Sequence, residues 1–89
     1  MTKNYEKLLP IGSVVHIKGA NKNMMIIGIV VTNNDVEYDY FAVLYPEGYV
    51  DNKLTFLFNH EDIDKVLYVG YINSELQLLV KQLVEKKKA

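Results

Sequence analysis

The chain contains no cysteine and no tryptophan, and all of its cationic side chains are lysine. Without cysteine, a disulfide framework and a thiolate metal site are excluded, so packing alone must hold the fold together. The longest apolar run, residues 24–31, is much shorter than the ~20 residues of a membrane helix, and no signal-peptide core follows the polar N-terminus. These absences favour a cytoplasmic protein that does not enter the membrane.

The composition that is present is that of a small folded protein. Hydrophobic residues make up 49% and charged residues 24% of the 89 positions, and a chain of this length builds one core. We therefore expect a single domain over residues 1–89. The net charge of −1 provides no general field for attracting nucleic acid or an anionic membrane. Seven tyrosines are the unusual feature of the composition.

Apolar segments bounded by glycine, asparagine, aspartate and proline predict five short strands, at residues 13–18, 24–32, 37–45, 53–58 and 65–71. The second segment is apolar on both faces, which is typical of a central strand. Gly28 in its middle indicates a bend or a bulge. Asn59 followed by acidic residues predicts one short helical turn between the last two strands.

The periodicity changes after Asn73. Leu76, Leu79, Val80 and Leu83 follow helical spacing, so residues 74–86 are predicted to form a C-terminal helix, and Ser74 with Gln77 has the pattern of a capping box. The fold class is therefore mainly β (α+β). We expect five antiparallel strands over residues 8–72, as a strongly bent sheet or a small SH3-like barrel, followed by the helix.

No set of residues indicates catalysis, a cofactor or a metal centre. His16 lies within a predicted strand, and the glycines are too scattered for a phosphate-binding loop. The polar cluster at residues 60–64 resembles a metal or acid–base site, but adjacent side chains on one turn diverge, and helix capping also accounts for them. We expect no enzyme activity.

Two binding functions remain open. Lys18, Lys22 and Lys53, with aromatic residues nearby, have the composition of a nucleic-acid stacking platform, although solvated loop lysines fit as well. The tyrosines favour a protein partner instead, since tyrosine is enriched at interfaces. The candidate protein-binding face consists of Tyr38, Tyr40, Tyr45 and Tyr49. Alternatively, these rings fill the ends of a small core. A second copy of the chain, forming a homo-oligomer, is a further candidate partner.

Several short segments, taken in order, carry a family resemblance. They are LLPIGSVV (8–15), Lys18, MIIG (25–28), YPEG (45–48), FNH (58–60), DI (62–63) and GY (70–71). Together they resemble domain of unknown function family 4176, whose members are short proteins of Gram-positive bacteria, often encoded beside type VII secretion effectors. The resemblance implies a cytoplasmic adaptor or chaperone for an effector, and it implies no catalytic residue.

Overall fold

The structure, a computed structural model, describes residues 7–88. It contains five β-strands and one α-helix in the predicted order. These elements are β1 (Val14–Ile17), β2 (Asn23–Asn33), β3 (Val36–Tyr45), β4 (Thr55–Phe58), β5 (Ile63–Tyr68) and α1 (Ser74–Lys88). Two 3₁₀ turns, Asn52–Leu54 and His60–Asp62, flank β4. The predicted α+β class is confirmed.

The five strands form one antiparallel sheet in the order β4-β3-β2-β1-β5. The first strand is therefore enclosed between the second and the last, while β4 and β5 are the two edges. Since these edges do not pair with each other, the sheet is open and is not closed into a barrel. Of the two forms that the sequence allows, the open sheet is the one observed.

Local chemistry explains the long β2–β3 hairpin. Asn34 and Asp35 have φ values of 51° and 65°, and these residue types tolerate the left-handed region that a two-residue hairpin requires. The register between β2 and β3 shifts between Ile26 and Gly28, which is the predicted bulge. A Cβ at Gly28 would lie 3.3 Å from the Cβ of Phe41, so glycine allows the close approach.

The core lies on one face of the bent sheet. Its buried side chains come from four strands: Val15, Met24, Ile26, Tyr40, Ala42 and Phe58. Leu8 and Leu9, from the segment before β1, pack against this cluster. The rings of Tyr40 and Phe58 lie 5.5 Å apart between centroids. No described side chain of α1 is fully buried or belongs to the core.

The sequence prediction is wrong about the bounds of the last strand and about the residue that caps the helix. The last strand begins earlier and ends earlier than predicted, because Ile63 pairs with Ile17 and the chain leaves the sheet after Tyr68. The predicted Ser74 capping box does not form. The side chain of Asn73 caps α1 instead, accepting a hydrogen bond from the backbone N–H of Leu76 at 2.9 Å.

Candidate protein-binding surface

An apolar groove of about 500 Å³ lies on the sheet face opposite the core. Val14 and Met25 point into it because side chains alternate along a strand, and their neighbours Val15 and Met24 point into the core. The groove is lined by Gly12, Val14, Asn23, Met25, Tyr45, Leu67 and Tyr68. Asn23 is the only lining residue with an amide side chain, and none carries a charge.

Cross-strand pairing brings these side chains together. Val14 of β1 pairs with Met25 on one side and with Tyr68 on the other. Asn23 pairs with Tyr45 at the end of β3. Residues on three neighbouring strands and the end of a fourth therefore form one surface, although they are far apart in sequence.

The groove continues into an exposed apolar segment that includes the end of β5. From residue 66 to residue 73 the chain carries no charge. Its exposed large side chains are Val66 (46%), Leu67 (51%), Tyr68 (63%), Val69 (48%), Tyr71 (79%) and Ile72 (53%). Since large contiguous apolar patches are rare on monomeric proteins, such a surface is typical of an interaction site.

The four sequence-predicted tyrosines do not form one face. Tyr40 is fully buried and contributes no surface, and Tyr38 is half-buried. Alternation along β3 places Tyr45 on the opposite face from these two, where it lines the groove. Tyr49 is 60% exposed and its hydroxyl donates to the side chain of Asn52 at 2.6 Å. Of the four, Tyr45 is the one that lies in the groove.

The buried hydroxyl of Tyr40 joins the core to the turn before β5. It accepts a hydrogen bond from the backbone N–H of Leu9 at 3.0 Å and forms a second hydrogen bond with Nδ1 of His60 at 2.7 Å. Burial of the phenol disfavours its ionised form and raises the pKa of Tyr40 to about 12. The Tyr40–His60 contact therefore positions a loop.

The polar cluster around His60 acts as a turn cap. The side chain of Asn59 accepts from the Asp39 N–H at 3.0 Å, while the Asp62 carboxylate accepts from the Asn59 N–H at 2.9 Å. Asp39 fixes the same turn by accepting from the His60 N–H at 2.9 Å. The capping interpretation is confirmed. Among residues 7–88, no three His, Asp or Glu side chains are placed to hold a metal ion.

His16 makes two contacts from β1. Its Nδ1 lies 2.7 Å from Asp64 Oδ1 on β5, and its Nε2 lies 2.9 Å from the carbonyl oxygen of Ala20. The hydrogen bond to the Asp64 carboxylate raises the pKa of His16.

The three lysines of the nucleic-acid hypothesis have separate local roles. Lys18 donates from Nζ to the carbonyl oxygen of Glu61 at 2.9 Å, and Lys22 forms an ion pair with Glu47 at 2.5 Å. That ion pair lowers the pKa of Glu47. Lys53 lies in the 3₁₀ turn before β4.

Sequence reasoning did not identify Met25, Leu67 and Tyr68 as surface residues. The absence of charge over residues 66–73 is the signal that could have found two of them, because an edge strand is usually protected by charged residues. Met25 carries no such signal, because its exposure depends on how β1 and β2 pair with their neighbouring strands. Within the described chain, no helix has the length and apolar character needed to cross a membrane.

A family model described as a domain of unknown function (DUF4176) matches residues 8–78. No curated protein and no solved structure is significantly similar to the chain.

Proposed function

The chain belongs to the DUF4176 family of domains of unknown function, and we propose that it is a non-catalytic protein-interaction module. The genomic setting implied by the family resemblance makes an effector of type VII secretion the proposed partner. In this role the domain acts in the cytoplasm as an adaptor or chaperone, holding an apolar segment of the effector before export.

One observation supports the proposal above all. The groove of about 500 Å³ and the uncharged segment after Lys65 share Leu67 and Tyr68, so the groove adjoins further exposed apolar side chains. At about 25 cal/mol per Å², covering exposed apolar area is the main favourable term in association. A partner that covers this surface removes it from water.

The lining residues indicate the chemistry of the partner. Tyrosine and methionine are enriched at protein interfaces, since the first has an apolar body with a polar end and the second adapts its shape. Tyr45, Tyr68 and Met25 supply both kinds of contact, while Asn23 supplies an amide for hydrogen bonding. The surface therefore suits an apolar peptide segment better than a phosphate backbone.

Binding between the purified domain and effectors encoded beside its gene tests the proposal, with affinity measured by calorimetry. Leu67→Glu places a charge in the groove and should weaken binding at least tenfold, which corresponds to about 1.4 kcal/mol. Leu67 is 51% exposed, so the change should leave folding intact. Circular dichroism of each variant checks that it does.

Val36→Glu is the matched control. Val36 is 49% exposed, yet it lies at the opposite end of β3 from Tyr45, about 30 Å along the strand at ~3.3 Å per residue. It should bind like the wild type. Equal weakening by both substitutions, or no binding by any neighbouring effector, would contradict the proposal. Salt-dependent binding to single-stranded oligonucleotides would favour the nucleic-acid alternative.

A further inference from the structure

The His16 ring lies between two hydrogen-bond acceptors from different parts of the fold. Nδ1 is 2.7 Å from a carboxylate oxygen of Asp64 on β5, and Nε2 is 2.9 Å from the carbonyl oxygen of Ala20 in the turn between β1 and β2. Ala20 also closes that turn, since its N–H donates to the Ile17 carbonyl at 3.0 Å. The ring thus spans an edge strand and a turn.

Neither partner can donate a hydrogen bond. A backbone carbonyl and an ionised carboxylate only accept, whereas neutral imidazole has one N–H and one lone pair. In a neutral ring, one nitrogen would therefore place its lone pair against an oxygen lone pair. Only the imidazolium form, with an N–H on both nitrogens, satisfies both contacts.

We infer that His16 is a pH-sensitive staple, which in its protonated form ties the edge strand β5 to the β1–β2 turn and which releases one of the two contacts when it loses a proton. The inference concerns the fold itself and does not depend on which protein, if any, binds the groove.

The charged groups around the ring support this reading. From β5, Asp64 favours the imidazolium, and the cross-strand neighbour Lys65 opposes it. From β2, the residue opposite His16 is the uncharged Asn23. The direct hydrogen bond to Asp64 is the largest influence, and the net effect raises the pKa of His16 above its ordinary value of 6.5.

The direction of the pH effect follows from that rise. A group whose pKa is higher in the folded state contributes stability that is fully present below the unfolded-state pKa. The contribution of His16 is therefore present below about pH 6.5 and is lost as pH rises through the folded-state pKa. Each unit of difference between the two pKa values changes the folding equilibrium about tenfold.

Nitrogen-15 NMR of both ring nitrogens in the full chain tests the protonation state directly, with His60→Gln used to assign the two histidine rings. At pH 6 both His16 nitrogens should be protonated, and the His16 pKa should lie above 6.5. Asp64→Asn removes the charged acceptor and should lower that pKa. A neutral single tautomer at pH 6, or a pKa unchanged by Asp64→Asn, would overturn the inference.

Urea unfolding as a function of pH provides the second readout. His16→Gln keeps a donor on the strand but does not titrate, so the wild type should lose stability relative to this variant as pH rises from 5.5 to 8.5. Parallel stability curves over that range would show that the His16 pKa is the same in the folded and unfolded chains, and this result would overturn the staple.

Discussion

The buried hydroxyl of Ser13 accepts a hydrogen bond from the backbone N–H of Gly70 at 2.9 Å, and the two residues are 57 positions apart in the chain. The backbones touch as well, because a Cβ added to Gly70 would lie 2.2 Å from the carbonyl oxygen of Ile11. The chain that leaves β5 is therefore pressed against the loop that enters β1. This contact fixes the start of the segment that leads to α1.

Replacing Gly70 by alanine should destabilise the domain by about 3 kcal/mol, since the new methyl group meets backbone atoms that cannot move aside individually. The nearest are the Ile11 carbonyl oxygen at 2.2 Å and the backbone nitrogen of Ser13 at 3.0 Å. Urea unfolding followed by circular dichroism measures the change.

Gly19→Ala is the control for this substitution. Gly19 has a φ of +80°, but an added Cβ there has no described atom within 4 Å. Alanine adopts this left-handed backbone conformation less easily than glycine, so the substitution should lower the free energy of unfolding by about 1 kcal/mol. A Gly70→Ala variant no less stable than Gly19→Ala would show that the close approach is not a strong constraint.

Ser13→Ala should cost about 2 kcal/mol in the free energy of unfolding, because it leaves the buried N–H of Gly70 without its acceptor. Thr55→Val removes a hydroxyl of a different kind, one that donates to the Asn52 carbonyl at 2.8 Å at an exposed position. Water can replace that bond, so the expected change is within about 0.5 kcal/mol. Similar losses for both variants in thermal unfolding would argue against a special role for Ser13.

Asn73→Ala should destabilise the protein by about 1 kcal/mol through loss of the α1 cap, whereas Ser74→Ala should change stability by less than about 0.5 kcal/mol. The reason is that the Asn73 side chain accepts from the Leu76 N–H at 2.9 Å, while Ser74 is the first residue of the helix. Helicity by circular dichroism distinguishes the two. A larger loss for Ser74→Ala would restore the capping box suggested by the sequence.

The stability of the domain should fall as pH rises from 10 to about 12, through the range in which an unfolded tyrosine ionises and Tyr40 does not. The raised pKa means that the folded state retains a proton that the unfolded chain releases. The contribution of Tyr40 to the free energy of unfolding is therefore complete below pH 10 and is lost as pH approaches 12.

Tyr40→Phe separates this contribution from the ionisation of other tyrosines. The variant should be about 2 kcal/mol less stable at neutral pH, because the Leu9 N–H loses its acceptor, and its stability should fall less steeply above pH 10. Absorbance of the phenolate form, combined with unfolding at each pH, measures both effects. Equal slopes for variant and wild type would contradict the assignment.

Features that depend on local chemistry could be predicted from the sequence. Asn34 and Asp35 suit a tight hairpin by themselves, Gly28 marks the bulge, and Asn59 begins a capped turn. Each of these signals acts over a few residues. The number of strands, their succession along the chain and the helix followed from these signals together with the hydrophobic periodicity.

Features that depend on distant contacts could not be predicted. The end of β5 is set by the contact between Gly70 and Ser13, and the burial of Tyr40 by the packing of Phe58 and Leu9 around its ring. The burial of individual tyrosines could not be predicted for the same reason, because composition does not say which face of β3 covers the core. The groove residues could be identified only from the structure, in which β1 lies between β2 and β5.

The position of β1 between β2 and β5 also determines when the domain can finish folding during its synthesis. The β2–β3 hairpin closes over a two-residue turn, whereas β1 must wait for β5, since Val14 pairs with Tyr68 and Ile17 with Ile63. Closing so long a loop is slow, and a ribosome adds about 5–20 residues per second. For a few seconds, each nascent chain therefore presents β1 as an unpaired edge of the sheet.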